Sequence, residues 1–208
     1  MTQAPAMRRI AASQLIGSTV DGIALSTAVL YFSIHVGIAA TTIGFVLALG
    51  AGLALATSVP IGMLADAIGL RTAGIALSGV AALALVFYAL ADGLPLYVAG
   101  ACCFLVAQSA LNAIRQALVA AATEPTQRIR ARAVVYTLMN AGLGLGTVIG
   151  VVVLAVDQHW LSVVVFYVGA GLALVAGAMF VTLPRPVREP SSPRHVDRAW
   201  SPSATAAS

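Results

Sequence analysis

Lysine is absent from this chain, and charge of either sign is scarce. Charged residues make up 9% of the 208, against roughly 25% in a soluble globule. That scarcity excludes an ordinary water-soluble fold, because a chain this size cannot hide so much apolar surface from water. Cysteine is limited to Cys102 and Cys103, adjacent to each other in an apolar run. The pair forms neither a C-x-x-C redox motif nor a spaced metal site, and it reads as plain packing. Histidine occurs three times. His35 and His159 fall near the ends of apolar runs and His195 in a polar tail, so no histidine at depth supports an intramembrane serine protease. Clustered His, Asp or Glu for a metal enzyme are likewise missing, and no cofactor is expected. The formal charge of +4 does not point to nucleic acid, since the basic residues are not gathered on one face among aromatics.

What the chain has instead is apolar length. Hydrophobic residues make up 60% and the mean hydropathy is +0.98. Taking about 20 residues per crossing, six spans are expected at 10–35, 43–64, 72–91, 96–122, 133–156 and 161–183. The fold class is therefore all-α, a polytopic membrane protein, with the bilayer as solvent and a cytoplasmic start at 1–9. Arg8 and Arg9 ahead of an apolar stretch resemble a signal peptide, but the stretch is too long, contains Asp21 and lacks a small-x-small cleavage site. The turn at Asp92, Gly93 and Pro95 and the turn at Glu124 and Pro125 punctuate the spans, with Pro95 expected to open the fourth helix.

All eleven basic residues are arginine, and their placement orients the spans. With both termini inside, every arginine but Arg115 falls on the cytoplasmic side, as short basic loops require. That places the protein in the cytoplasmic membrane as a multi-pass chain. After Leu183 the composition changes abruptly to a segment rich in Pro, Ser and Ala. Residues 184–208 are expected to be a disordered cytoplasmic tail, either solvated or with its arginines against anionic lipid headgroups.

Two ionisable groups interrupt the apolar spans. On insertion scales each costs roughly 2.5 to 3.5 kcal/mol, which makes it a functional candidate. Asp21 lies 12 residues past Arg9, or ~18 Å along a helix, near mid-membrane. Arg115 lies about seven residues before the cytoplasmic end of the fourth span, ~11 Å deep. One reading is that Asp21 takes up and releases a proton during transport while Arg115 sets its readiness. The blander readings are a static ion pair, or an Arg115 that snorkels to the interface. In the fifth span Gly142, Gly146 and Gly150 recur every four residues, a smooth strip on which another helix can pack closely.

The loop expected after the second span reads Gly62-Met63-Leu64-Ala65-Asp66-Ala67-Ile68-Gly69-Leu70-Arg71. It resembles the G-x-L-A-D-R-x-G-R-R signature of the major facilitator superfamily, with Gly62, Leu64, Ala65, Asp66, Gly69 and Arg71 in place. Ala67 and Leu70 stand where that family has basic residues, which thins any charge relay there. Arg115 is similar to the basic residue of the family's fourth-helix motif, without the Gln and Gly that follow it. The run from Asn140 to Gly150 resembles the antiporter pattern of the fifth helix, with Thr147 in place of Pro and Val151 in place of the last Gly. Asp21-Gly22 and Arg115 are closest to drug and macrolide efflux members.

The resemblance covers residues 8–184 and implies a small-molecule transporter, secondary and proton-coupled or exporting. Members usually carry twelve spans in two six-helix halves, so six spans correspond to the amino-terminal half. A second copy, a separately encoded half, or a truncated non-transporting remnant or scaffold are the alternatives. An active protein is expected to need the partner, because Asp21 would otherwise face lipid.

Overall fold

The structure, a computed structural model, describes residues 3–156 and 159–181. It is built from six long helices: α1 (Gln3–Ile34), α2 (Ala40–Ile68), α3 (Leu70–Leu90), α4 (Leu94–Ala122), α5 (Arg128–Ala155) and α6 (His159–Val181). A single 3-10 turn, Pro125–Gln127, precedes α5, and there is no strand among the described residues. All six helices are long and apolar enough to cross a membrane. A helix of this kind satisfies every backbone hydrogen bond internally, which is what hydrocarbon demands. The chain is thus a six-span membrane protein. The expected tail at 184–208, with His195 and its arginines, and Asp157 lie outside the described residues.

Helix ends follow local chemistry. Pro95 sits in the first turn of α4, where its missing N–H costs nothing. The boundary between α2 and α3 differs from expectation. Residues 62–68 continue α2 rather than forming a loop, and α3 begins at Leu70, so the connection narrows to Gly69. Gly69 has φ +92°, a value open to glycine and strained for residues with a Cβ. One residue therefore reverses the chain, and the apolar, helix-favouring run around Leu64 and Ala65 stays helical up to it. Pro60 lies inside α2 without ending it.

The helices pack in an order unlike their order in the chain. α1 makes its most extensive contact with α5 and then with α6, α3 packs on α6 and α4, and α2 packs on α4. A lighter contact between α1 and α4 closes a ring of α1, α6, α3 and α4. α5 and α2 flank this ring, attached to α1 and α4 respectively. The burial matches: 56% of the most apolar stretch of α1 is buried, against 22% for α2 and 17% for α5. α2 and α5 therefore present the widest unpartnered apolar faces, including Phe45, Leu55 and Val59 on α2 and Leu145, Val148 and Val152 on α5.

Two kinds of packing hold the ring. One end is filled by aromatic rings: Phe32 lies 4.4 Å from Tyr97 and 5.5 Å from Tyr88, centroid to centroid, and Phe166 lies 5.5 Å from Tyr88. Phe32, Tyr97 and Phe166 are fully buried, and edge-to-face and tilted pairs of this kind add about 0.5–1.5 kcal/mol each beyond their area. The other contact is close backbone approach between α1 and α5. A Cβ on Gly142 would stand 2.7 Å from the Leu15 carbonyl oxygen, and one on Gly146 would run into the Thr19 carbonyl. A Cβ on Gly150 would strike the Ser26 hydroxyl, and Gly22 on α1 meets the Leu143 carbonyl in return. Glycine on both helices brings the two backbones together, which gains dispersion contacts where no hydrophobic force draws helices together.

Candidate transport site

The polar residues of the spans gather on α1. Its inward stripe follows helical spacing through Ser13, Gln14, Gly17, Ser18, Asp21 and Thr27, all buried except the partly buried Asp21. Gln14 donates its side-chain amide to the Ser18 hydroxyl at 2.9 Å, and the Ser13 hydroxyl reaches the Ala176 carbonyl of α6 at 3.4 Å. A stripe of this polarity belongs inside a bundle, because hydrocarbon offers those groups no partners.

Asp21 lies midway along its span, which the structure gives as Met7–Ile34. Facing it from α4 is Gln108, itself near the middle of Leu94–Ala121 and buried. The Gln108 side chain and the Arg115 guanidinium are the polar groups near enough to act on the Asp21 carboxyl. Buried Asp21 Oδ1 and Gln108 Oε1 each lack a hydrogen-bond partner.

Arg115 is 1% exposed, so it does not snorkel to an interface. Its Cα is seven residues, or ~10 Å, beyond Gln108 along α4. Side chains on a helix lean toward its amino terminus, which carries the guanidinium back toward the level of Asp21. There Nη1 donates to Asn112 Oδ1 at 3.0 Å, one turn back. The planar head lies on Gly17 of α1, where a Cβ would collide with it. Gly17 is one turn from Asp21 on the same face of α1. The cation and the carboxylate thus share one buried site between α1 and α4, and their attraction is strengthened by the low dielectric around them.

The signature residues lie elsewhere. Ala65 is buried against the bundle, while Gly62, Leu64 and Asp66 are exposed and Arg71 is half-buried at the start of α3. Gly62, Ala65 and Asp66 line one side of a groove of about 180 Å³ between α2 and α4, whose far side is formed by Ser109, Ala110, Ala113 and Ala117. The structure does not bring this segment to Asp21 and Arg115. Gly142, Gly146 and Gly150 are buried on the face of α5 that meets α1. Cys102 is half-buried and Cys103 exposed, both as free thiols. Among the described residues no group of three or more His, Cys, Asp or Glu is placed to hold a metal ion.

Two members of the site escape a reading of the sequence alone. Gln108 precedes Arg115 by two helical turns, a spacing that puts both on one face of α4. That signal is present but common, since many residues share it. Gly17 gives no signal in isolation, because its role is defined by a side chain on another helix.

No curated protein matches the chain significantly. A family model does match, over residues 10–207, and its family is the Major Facilitator Superfamily. That match spans the six apolar helices, and they correspond to one six-helix half of the family's fold. The chain belongs to the Major Facilitator Superfamily.

Proposed function

We propose that the chain works as one six-helix half of a secondary transporter that moves a small molecule in exchange for, or together with, protons. The observation that carries this reading is Asp21. A carboxyl midway along a span, set between an amide and a buried guanidinium, can alternate between a charged form held by Arg115 and a neutral form that releases it. Gain and loss of that charge at the α1–α4 contact changes the attraction between two helices of the ring, which couples protonation to a change of shape. The substrate class that suits the surroundings is lipophilic, in keeping with the resemblance to drug and macrolide efflux members. Export is the direction those members share, and Thr147 and Val151 depart from the fifth-helix pattern that goes with it.

A second six-helix unit supports this work, either another copy of the chain or a separate half. The broad apolar faces of α2 and α5 on either side of α1 and α4 are the surface it would cover. Units that share one orientation in the membrane can meet about a two-fold axis along its normal. Both termini then lie on the cytoplasmic side of the cell membrane. A non-transporting scaffold is the contrasting reading.

The test uses the full chain in liposomes loaded with a pH-sensitive dye and challenged with a panel of lipophilic drugs and macrolides. The expected result is drug-dependent proton movement that Asp21→Asn abolishes, with exchange of labelled drug across the membrane retained. Proton movement in Asp21→Asn equal to that of the unaltered chain would overturn the coupling role. No drug-dependent flux or exchange in either protein would favour the scaffold.

A further inference from the structure

We infer that Gln108 is a positioning residue that follows the protonation state of Asp21 by turning its side-chain amide over. The inference rests on the proton-coupled reading above and adds the group that accommodates both forms of the carboxyl. Gln108 is 7% exposed and faces Asp21 from α4 at mid-span. An amide carries two donors at one end and an acceptor at the other. With Asp21 ionised, the carboxylate only accepts, so the amide must present Nε2. Gln108 Oε1 is buried and lacks a partner, as that form of the carboxyl requires of it.

The unsatisfied Oε1 is the telling atom. A buried acceptor with no donor costs free energy, and an ionised Asp21 can offer it none. Once a proton from the aqueous phase binds the carboxylate, a new O–H donor appears beside it. Half a turn about the last side-chain torsion, which is broad and two-fold for glutamine, brings Oε1 round to accept from that O–H. Nε2 is then withdrawn from the carboxyl. Asp21 Oδ1, also lacking a partner, is an oxygen on which the proton can settle. A leucine or methionine in this place would leave both forms of the carboxyl bare, and a lysine would bind only the charged one.

The surroundings leave this exchange to few groups. From α4 the charged neighbour is Arg115, which lies on Gly17 and donates to Asn112. From α5 and α6, the helices packed on α1, the tyrosines Tyr136 and Tyr167 are on exposed faces. Of the other polar groups of α1 on this stripe, Gln14 and Ser18 are engaged with each other, Ser13 reaches the Ala176 carbonyl, and the Thr27 hydroxyl is buried without a partner.

The experiment is a pH titration of the full-length chain in lipid nanodiscs, read in two ways. Infrared difference spectra follow the protonated carboxyl C=O stretch, assigned to Asp21 by its loss in Asp21→Asn. Side-chain amide spectra of the 15N-glutamine-labelled chain follow Gln108, assigned by its loss in Gln108→Leu, or in Gln108→Asn if the first fails to insert. The expected result is that one Gln108 N–H resonance moves upfield on acidification, with the same midpoint as the Asp21 band. In Gln108→Leu the Asp21 band should move to the frequency of an acid with no hydrogen-bond partner. Its midpoint should be displaced by about one pH unit, the difference between losing a charge-assisted and a neutral hydrogen bond. A titrating Asp21 band with a Gln108 resonance that stays still overturns the inference and leaves the proton-coupled reading standing. An Asp21 band that does not titrate at all overturns both.

Discussion

Replacing Gly146 with alanine tests the account of what joins α1 to α5. The added Cβ would run into the Thr19 carbonyl and would stand 2.8 Å from the Ile23 nitrogen and 2.9 Å from the Thr19 carbonyl carbon. All three neighbours are backbone atoms of α1, so no rotamer change relieves the clash, and the two helices must part by several tenths of an ångström. A gap of 0.5–1 Å forfeits about a quarter to a half of each dispersion contact along the seam, and overpacking of this kind costs about 1–3 kcal/mol. Alanine also gains about 1 kcal/mol of helix propensity over glycine, which offsets part of the loss. Gly144→Ala is the matching control, because a Cβ there meets nothing within 4 Å and the propensity gain is the same. The difference between the two variants isolates the clash at about 2 kcal/mol. By the relation for domains of 150–250 residues, that is about 4–8 °C in midpoint. Thermal unfolding of the purified variants in one detergent, at one scan rate, measures it. If Gly146→Ala melts within a degree of Gly144→Ala, the close backbone approach is not what holds α5.

Further outcomes follow from the same geometry. Gly17→Ala should destabilise the chain by about 1–3 kcal/mol through the Arg115 head group yet be neutral in an Arg115→Ala background, and a double-mutant cycle of melting temperatures reads that coupling. Phe32→Ala, which empties the centre of the aromatic packing, should cost about 3–5 kcal/mol in the same melting assay. Gly69→Ala forces a side chain into a left-handed turn and should lower stability by about 1–2 kcal/mol, whereas Gly62→Ala, with open space around it, should be neutral or stabilising. Single cysteines at exposed Leu55 or Val148, introduced after Cys102 and Cys103 are replaced, should crosslink to a second copy in native membranes. Products found only with other proteins would instead identify a separate half.

The six spans were legible because their evidence is local: charge-free length, a proline at the start of α4, arginines confined to alternate connections. The all-helical fold and the family followed from such features and from the segment around Asp66. Legibility failed where a feature depends on two helices at once. Residues 62–71 read as a loop because glycines and charges are common in loops, yet the chain needs only Gly69 to turn. The depth of Asp21 and Arg115 could be counted along each helix, but the register that sets Gln108 beside one and Gly17 beneath the other is a property of the α1–α4 pairing. Composition and spacing within a single helix carry no record of it.

The packing order has a consequence for how the molecule is made. α1 emerges first, the least apolar of the six at a hydropathy of 1.5, and its main neighbours are α5 and α6, the last two to be synthesised. Contacts so far apart in the chain form late. The aspartate of that first segment has no native neighbour until the fourth segment arrives, and Ser13 waits for the sixth. Biogenesis therefore demands that something hold the leading segment, whether the insertion machinery or a water-lined vestibule, until the closing pair arrives.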